Sequence, residues 1–250
     1  MKKLLVIFFS LLLCPTWAQA DWKKIEGTTN VEDAMISSSF PDNNYGDMGN
    51  ADLTISSSSF ILIRAKNIAS ELGENATISA CTLYMYCSYE ALGAKTINAN
   101  RLFKPWVEGD ENGVDDDDGD VTWNDWVSDA NEWAIAGAVC EGNDGSDNSV
   151  DNGDCLTASR DRTTTREDYE SVNGTGWFAW GISAELAQDW YDGTANPNGV
   201  ILKTTSSGSS DWRGTEAVSN QPYWTFTYTT GAAEGVDKPR KNIMSGGIVR

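Results

Sequence analysis

The chain has 250 residues, 40% of them hydrophobic, with 37 acidic residues against 18 basic and a formal charge of −19. Such an excess of carboxylates argues against general binding of nucleic-acid phosphates, which rests on basic surface. Histidine is absent, which excludes Ser-His-Asp and Cys-His catalysis and HExxH zinc sites, and no phosphate-cradling glycine motif is present.

The first 20 residues read as a secretory signal: Lys2-Lys3, an apolar run from Leu4 to Leu13, and Ala18-Gln19-Ala20 as the small-residue cleavage site. The run is shorter than the roughly 18 apolar residues a membrane span needs. Cleavage leaves 16 basic residues against 37 acidic, a charge of −21, and predicts a secreted or cell-surface protein with no membrane span. After a lead-in over 21–29, strand-like segments follow between turn signals: Ala34–Ser39, Leu53–Arg64, Thr77–Ser88, Thr96–Trp106, Val121–Trp123, Gly176–Ile182, Gly199–Thr205 and Tyr223–Tyr228. One stretch, Ala184–Tyr191, reads as a helix, with Ser183 to cap its start and Gly193 just past its end. Many short strands without βαβ alternation predict an all-β fold, an antiparallel β-sandwich of jelly-roll type with one short helix, over 30–229. Within it, 105–159 is an insertion-like stretch with 16 acidic residues and no Lys or Arg. The segment 230–250 reads as a glycine-rich basic tail or linker.

Four cysteines follow the signal. In an oxidising compartment they allow three pairings. Cys81 and Cys87 lie six residues apart in one strand-like run, about 20 Å at ~3.3 Å per residue, too far to bond to each other. Cys140 and Cys155 bracket an acidic glycine-rich loop, and their bridge is the favoured one, worth on the order of 3 kcal/mol by loop-closure entropy.

The order of short motifs resembles the DNRLRE family of secreted β-domains, found in disaggregatase-related proteins and beside alginate lyases. The motifs are Asp33-Ala34, Pro41 with Asn44-Tyr45-Gly46, Ile61-Leu-Ile-Arg64, Ala76–Tyr84, Trp106-Val-Glu108-Gly109, Thr122-Trp123-Asn124, the helix with Trp190, and Gly199-Val-Ile-Leu202. They span roughly Asn30 to Thr229. Ser59-Phe60 stands where a basic residue is often seen, and Ala65 where Phe is usual. The resemblance implies a β-sandwich that binds extracellular polysaccharide.

Two sets of residues carry candidate chemistry. Ca²⁺ takes six to eight oxygens from Asp, Asn and carbonyl groups. Asp115, Asp116, Asp117, Asp118 and Asp120, with Asp144, Asp147, Asp151 and Asp154, supply such oxygens in flexible loops, though neither loop matches an EF-hand. Sugars dock on aromatic faces. Trp126, Trp133 and Trp212, in polar stretches, and Tyr45, in a turn, are the expected platforms, whereas Trp106, Trp123, Trp177, Trp180, Trp190 and Trp224 are expected to pack. Arg160, Arg162 and Arg166 form a basic cluster able to hold a carboxylate. No catalytic constellation is marked. The leading expectation is a non-catalytic carbohydrate-binding module; the alternative is a structural subunit of a matrix, surface layer or filament, self-associating or part of a larger surface protein, and a polysaccharide-degrading enzyme comes third.

Overall fold

The computed structural model describes residues 20–231, apart from 50–51, 92, 116–119, 128–130, 135, 139–140, 143–160 and 196. Residues 1–19 of the predicted signal, the residues beyond 231, and both Cys140 and Cys155 lie outside the described residues.

The strands in chain order are β1 (Asp21–Glu26), β2 (Val31–Ser37), β3 (Asn43–Asn44), β4 (Leu53–Ile55), β5 (Ser59–Ala65), β6 (Ala76–Glu90), β7 (Lys95–Leu102), β8 (Val114–Asp115), β9 (Asp125–Val127), β10 (Asn131–Glu132), β11 (Glu141–Gly142), β12 (Arg162–Val172), β13 (Gly176–Ile182), β14 (Val200–Lys203), β15 (Ser210–Trp212) and β16 (Tyr223–Thr230). The helices are α1 (Ile68–Leu72) and α2 (Ala184–Asp192). One sheet, here A, runs β1-β16-β6-β15-β4, with β13 on the other edge of β6; the other, B, runs β11-β12-β7-β14-β5-β2. Every pairing is antiparallel except β11 with β12. The chain crosses between the sheets at most connections, as a jelly roll requires, and the architecture is the expected antiparallel sandwich.

Strand alternation builds the core. On β6 Cys81, Leu83, Met85 and Cys87 are buried while Thr82, Tyr84 and Tyr86 are half-exposed. A register shift against β16 between Thr227 and Tyr228 adds a residue to β6, so Ile78 also faces inward although its parity differs from that of Cys81. These side chains meet Val31, Ile61, Ile63, Ile97, Ala99, Val200 and Leu202 from sheet B. Trp180 spans the interface, its indole N–H donating to the Ile97 carbonyl at 3.0 Å.

Sheet B is also covered on its outer face. Ala34, Ile36, Phe60, Leu62, Leu102 and Ile201 point away from the first core and pack under Trp106, Val121, Trp133 and Ala138. Every residue of β2 is therefore buried. Trp106, Val121, Trp133 and Ala138 of the acidic insertion thus form a second apolar layer.

Several expectations are refined. The predicted strand Leu53–Arg64 is two strands in different sheets, broken where the Ser58 N–H donates to Ser56 Oγ at 3.1 Å. The lead-in is an integral strand, β1, on the edge of sheet A. A second helical turn, α1, buries Ile68 and Leu72; five residues are too few to show helical periodicity. The predicted helix α2 has its predicted ends: Ser183 Oγ accepts the Leu186 N–H at 3.3 Å, and Gly193 closes it in the left-handed region. Among the described residues no helix is long and apolar enough to cross a membrane.

Candidate functional site

The Asn44-Tyr45-Gly46 turn, Arg64 and Trp106-Val-Glu108-Gly109 converge on one structural knot. Asn44, buried, donates through Nδ2 to the carbonyls of Glu108 at 2.9 Å and Val121 at 2.8 Å, and its Oδ1 accepts from Gly46 N at 3.0 Å. A Cβ on Gly46 would overlap the Glu108 carbonyl, and one on Gly109, whose φ is +81°, would overlap Asn44 and Asp120. The turn and the Trp-x-Glu-Gly segment can approach so closely only as glycines. Trp106 is buried, its N–H donating to Asn198 O at 2.8 Å and its ring carrying the Arg64 guanidinium at 4.6 Å. Arg64 and Lys66 both pair with Glu32.

Beside this knot lies a buried carboxyl group of neighbours. Glu108 Oε1 accepts the Asp33 backbone N–H at 2.7 Å, and Asp33 Oδ2 accepts from Thr215 N at 2.8 Å. Asp33 Oδ1 has no hydrogen-bond partner among the described residues. Burial, reinforced by Glu216, raises the Asp33 carboxyl well above the usual range, and burial pushes Glu108 up to about 9. Among the described residues no group of three or more His, Cys, Asp or Glu side chains is placed to hold a metal ion.

The described members of the predicted site do not come together in one place. Trp212 is fully buried against Trp180 and Phe178, so it offers no face to a sugar. Its neighbours are polar because Asp211 faces outward while Ser210 and Trp212 face in, and composition averages the two sides. Trp133 is buried too, donating to Thr122 O at 3.0 Å within the second apolar layer. Tyr45 is buried under Gly113. Trp126 remains half-buried, its N–H on Glu132 O at 3.1 Å.

Arg160 lies outside the described residues. Arg162 is buried, with Nε donating to Ala138 O at 3.0 Å. Arg166 is exposed, 3.9 Å over the Tyr169 ring and bonded to Asn98 Oδ1 at 3.1 Å. It lines a cleft of about 480 Å³ with Asn98, Asn100, Arg162, Thr165, Lys203 and Thr205. Of the nine calcium candidates, Asp116, Asp117, Asp118, Asp144, Asp147, Asp151 and Asp154 lie outside the described residues. The backbone of Asp115 pairs with Asn43 in β8, and Asp120 is buried.

A solvent-facing aromatic cluster lies elsewhere, on the outer face of sheet A. Tyr223 sits opposite Tyr84, and Trp177 opposite Tyr86. Tyr84 and Tyr223 stack at 4.8 Å and 11°. Trp177, 43% exposed, meets Tyr86 at 75° and Tyr223 at 61°, with centroids 5.5 and 5.2 Å away. Since β6 separates β13 from β16, reaching Tyr223 means that the indole leans across β6. Lys24 covers the far side of Tyr223 at 4.2 Å and pairs with Glu26.

The expectation that Trp177 packs in the core is therefore corrected, and the signal was available. Trp177 and Trp180 are an odd number of residues apart, so one strand cannot turn both inward. Tyr84 and Tyr86 likewise have the parity opposite to Leu83 and Met85, and Tyr223 that opposite to Trp224 and Phe226.

A scan against protein-family models matches none, and a search of curated proteins finds no match.

Proposed function

We propose that the protein is a secreted, non-catalytic carbohydrate-binding module whose sugar platform is the Trp177, Tyr84, Tyr86 and Tyr223 cluster on the outer face of sheet A. The cluster itself carries the reading: a half-exposed indole held at steep angles by tyrosines on adjacent rigid strands. Such a surface removes apolar sugar C–H faces from water while phenol hydroxyls at its rim bind sugar hydroxyls. The signal-like N-terminus supports export, and the DNRLRE resemblance supports polysaccharide as the ligand class. The buried carboxyls Asp33 and Glu108 belong to the structural knot and are not assigned a catalytic role.

A glycan array with the purified protein tests this. Binding to a polysaccharide that Trp177→Ala removes, with the melting temperature little changed, is the expected result. No binding to any glycan would favour the structural-subunit reading, and release of reducing sugar or unsaturated uronate would favour an enzyme.

Calcium as a structural ion of the acidic insertion is part of the same proposal. It is supported by the composition of 105–159, where 16 carboxylates without a basic residue repel one another and a divalent ion offsets that. Calcium added after chelation should raise the melting temperature; an unchanged value removes the ion from the proposal.

A further inference from the structure

The platform has a second end. The pairing of β1 with β16 sets Trp22 beside Thr227, Lys24 beside Thr225 and Glu26 beside Tyr223, all on the outer face of sheet A. Trp22 is 67% exposed. It lies on β1, three strand positions from Trp177 on β13 and six residue steps along the strands. At ~4.8 Å per strand and ~3.4 Å per residue, that is a diagonal of roughly 25 Å.

Between the two indoles the diagonal crosses Thr225 on β16 and then Tyr84 on β6. Thr225 pairs with Thr82, and Gly181 and Ala179 pair with Thr82 and Tyr84 on the other side of β6. The hydroxyls of Thr225 and Thr82 thus separate Trp22 from an aromatic end made by Tyr84, Tyr223 and Trp177. Charge is balanced on this face, because Lys24 is committed to Glu26 and to the Tyr223 ring.

Resting on the carbohydrate reading of sheet A, we infer that this face holds one extended, neutral polysaccharide chain laid diagonally from Trp22 to Trp177, gripped along its length and not at its end. An open sheet face does not enclose a chain terminus, and two separated indoles reward a ligand long enough to touch both. A polyanion gains nothing from the balanced Lys24–Glu26 pair and is repelled by the molecule's −19 charge. Neutral chains do not meet that barrier.

The test is titration calorimetry of the full chain with cello-, xylo-, manno- and laminari-oligosaccharides from disaccharide to hexasaccharide, with alginate oligomers alongside and a chelator throughout. For one neutral series, affinity should rise at least tenfold with length. Trp22→Ala and Trp177→Ala should each bring the hexasaccharide down to the affinity of the short members. Thr225→Arg, which blocks the diagonal and leaves both indoles, should abolish the gain with length. Length-independent binding, or a loss with Trp177→Ala but none with Trp22→Ala, overturns the diagonal track and leaves the carbohydrate platform standing. Binding of alginate alone, removed by Arg166→Ala, overturns the neutral class. Absence of binding to every oligosaccharide overturns the carbohydrate reading itself.

Discussion

Glu108 and Asp33, 75 residues apart in sequence, are joined where the Asp33 backbone N–H donates to Glu108 Oε1 at 2.7 Å. This bond ties the insertion to β2, whose own Asp33 side chain is fully buried. The Glu108 carboxyl faces Asp33, Glu32 and Glu216. Three neighbouring carboxyls and burial both oppose a negative charge there, although Arg64 and Lys66 hold Glu32.

Stability should therefore fall as pH rises through the neutral range. Glu108 titrates at about 9 in the folded protein, against about 4.3 for an unfolded glutamate. Between those values the folded state binds the extra proton, so the contribution is complete below about pH 4.3 and is lost by about pH 9, with a slope of up to about 1.4 kcal/mol per pH unit. Asp33, raised by burial, adds in the same direction. Denaturant melts at pH 6 and pH 9 should show the loss, and Glu108→Gln should flatten it. A Glu108→Gln protein with an unchanged pH slope would place the proton elsewhere.

Asn44 should prove costly to remove. Its side chain satisfies the buried carbonyls of Glu108 and Val121 and the N–H of Gly46. Asn44→Ala leaves these groups without partners, at about 1 kcal/mol or more each, so a destabilisation of about 3 kcal/mol is expected in urea melts. Asn44→Asp, which keeps the acceptor and loses both donors, should be no better.

How much of this was legible in the sequence depended on strand parity. The inner face of β6 was readable because Cys81, Leu83, Met85 and Cys87 alternate with polar and tyrosine positions over a long strand. β12 was missed: in Arg-Thr-Thr-Thr-Arg-Glu-Asp-Tyr-Glu-Ser-Val only Tyr169 and Val172 are apolar, and its place is set by pairing with β7. Trp133 and Trp212 were misplaced because polar neighbours on the opposite face, or a distant sheet, decide their burial. Nothing local to Asp-Ala-Asn-Glu-Trp133 announces that its ring joins the buried cluster that holds Leu102 and Ile201. Parity with Trp180 turns Trp177 outward, whereas its aromatic character alone points to a core.

The buried thiols give a simple chemical readout. Cys81 and Cys87 are unbonded and buried; burial pushes Cys87 up to about 11 and Cys81 higher still. Neither should react with iodoacetamide at pH 8 in the native protein, and both should label fully in denaturant, as peptide mass mapping will report. Rapid native labelling of Cys87 would mean that the β15 end of sheet A opens readily.

The two tryptophans of β13 should separate stability from binding. Trp180 is fully buried, hydrogen-bonded to Ile97 and packed on Trp212, so Trp180→Ala should cost about 3–5 kcal/mol. Trp177 is open to solvent and touches only Tyr86 and Tyr223 among aromatic rings within the described residues, so Trp177→Ala should cost about 1 kcal/mol. Glycan affinity should behave in the opposite way: tenfold or greater loss for Trp177→Ala, and no loss for a milder core change, Trp180→Phe, wherever that variant is still folded. Two residues three positions apart on one strand thus give two separable measurements. If Trp180→Phe weakened binding while Trp177→Ala did not, the platform would lie on another face, and the half-buried Trp126 beside Lys104 would be the next residue to replace.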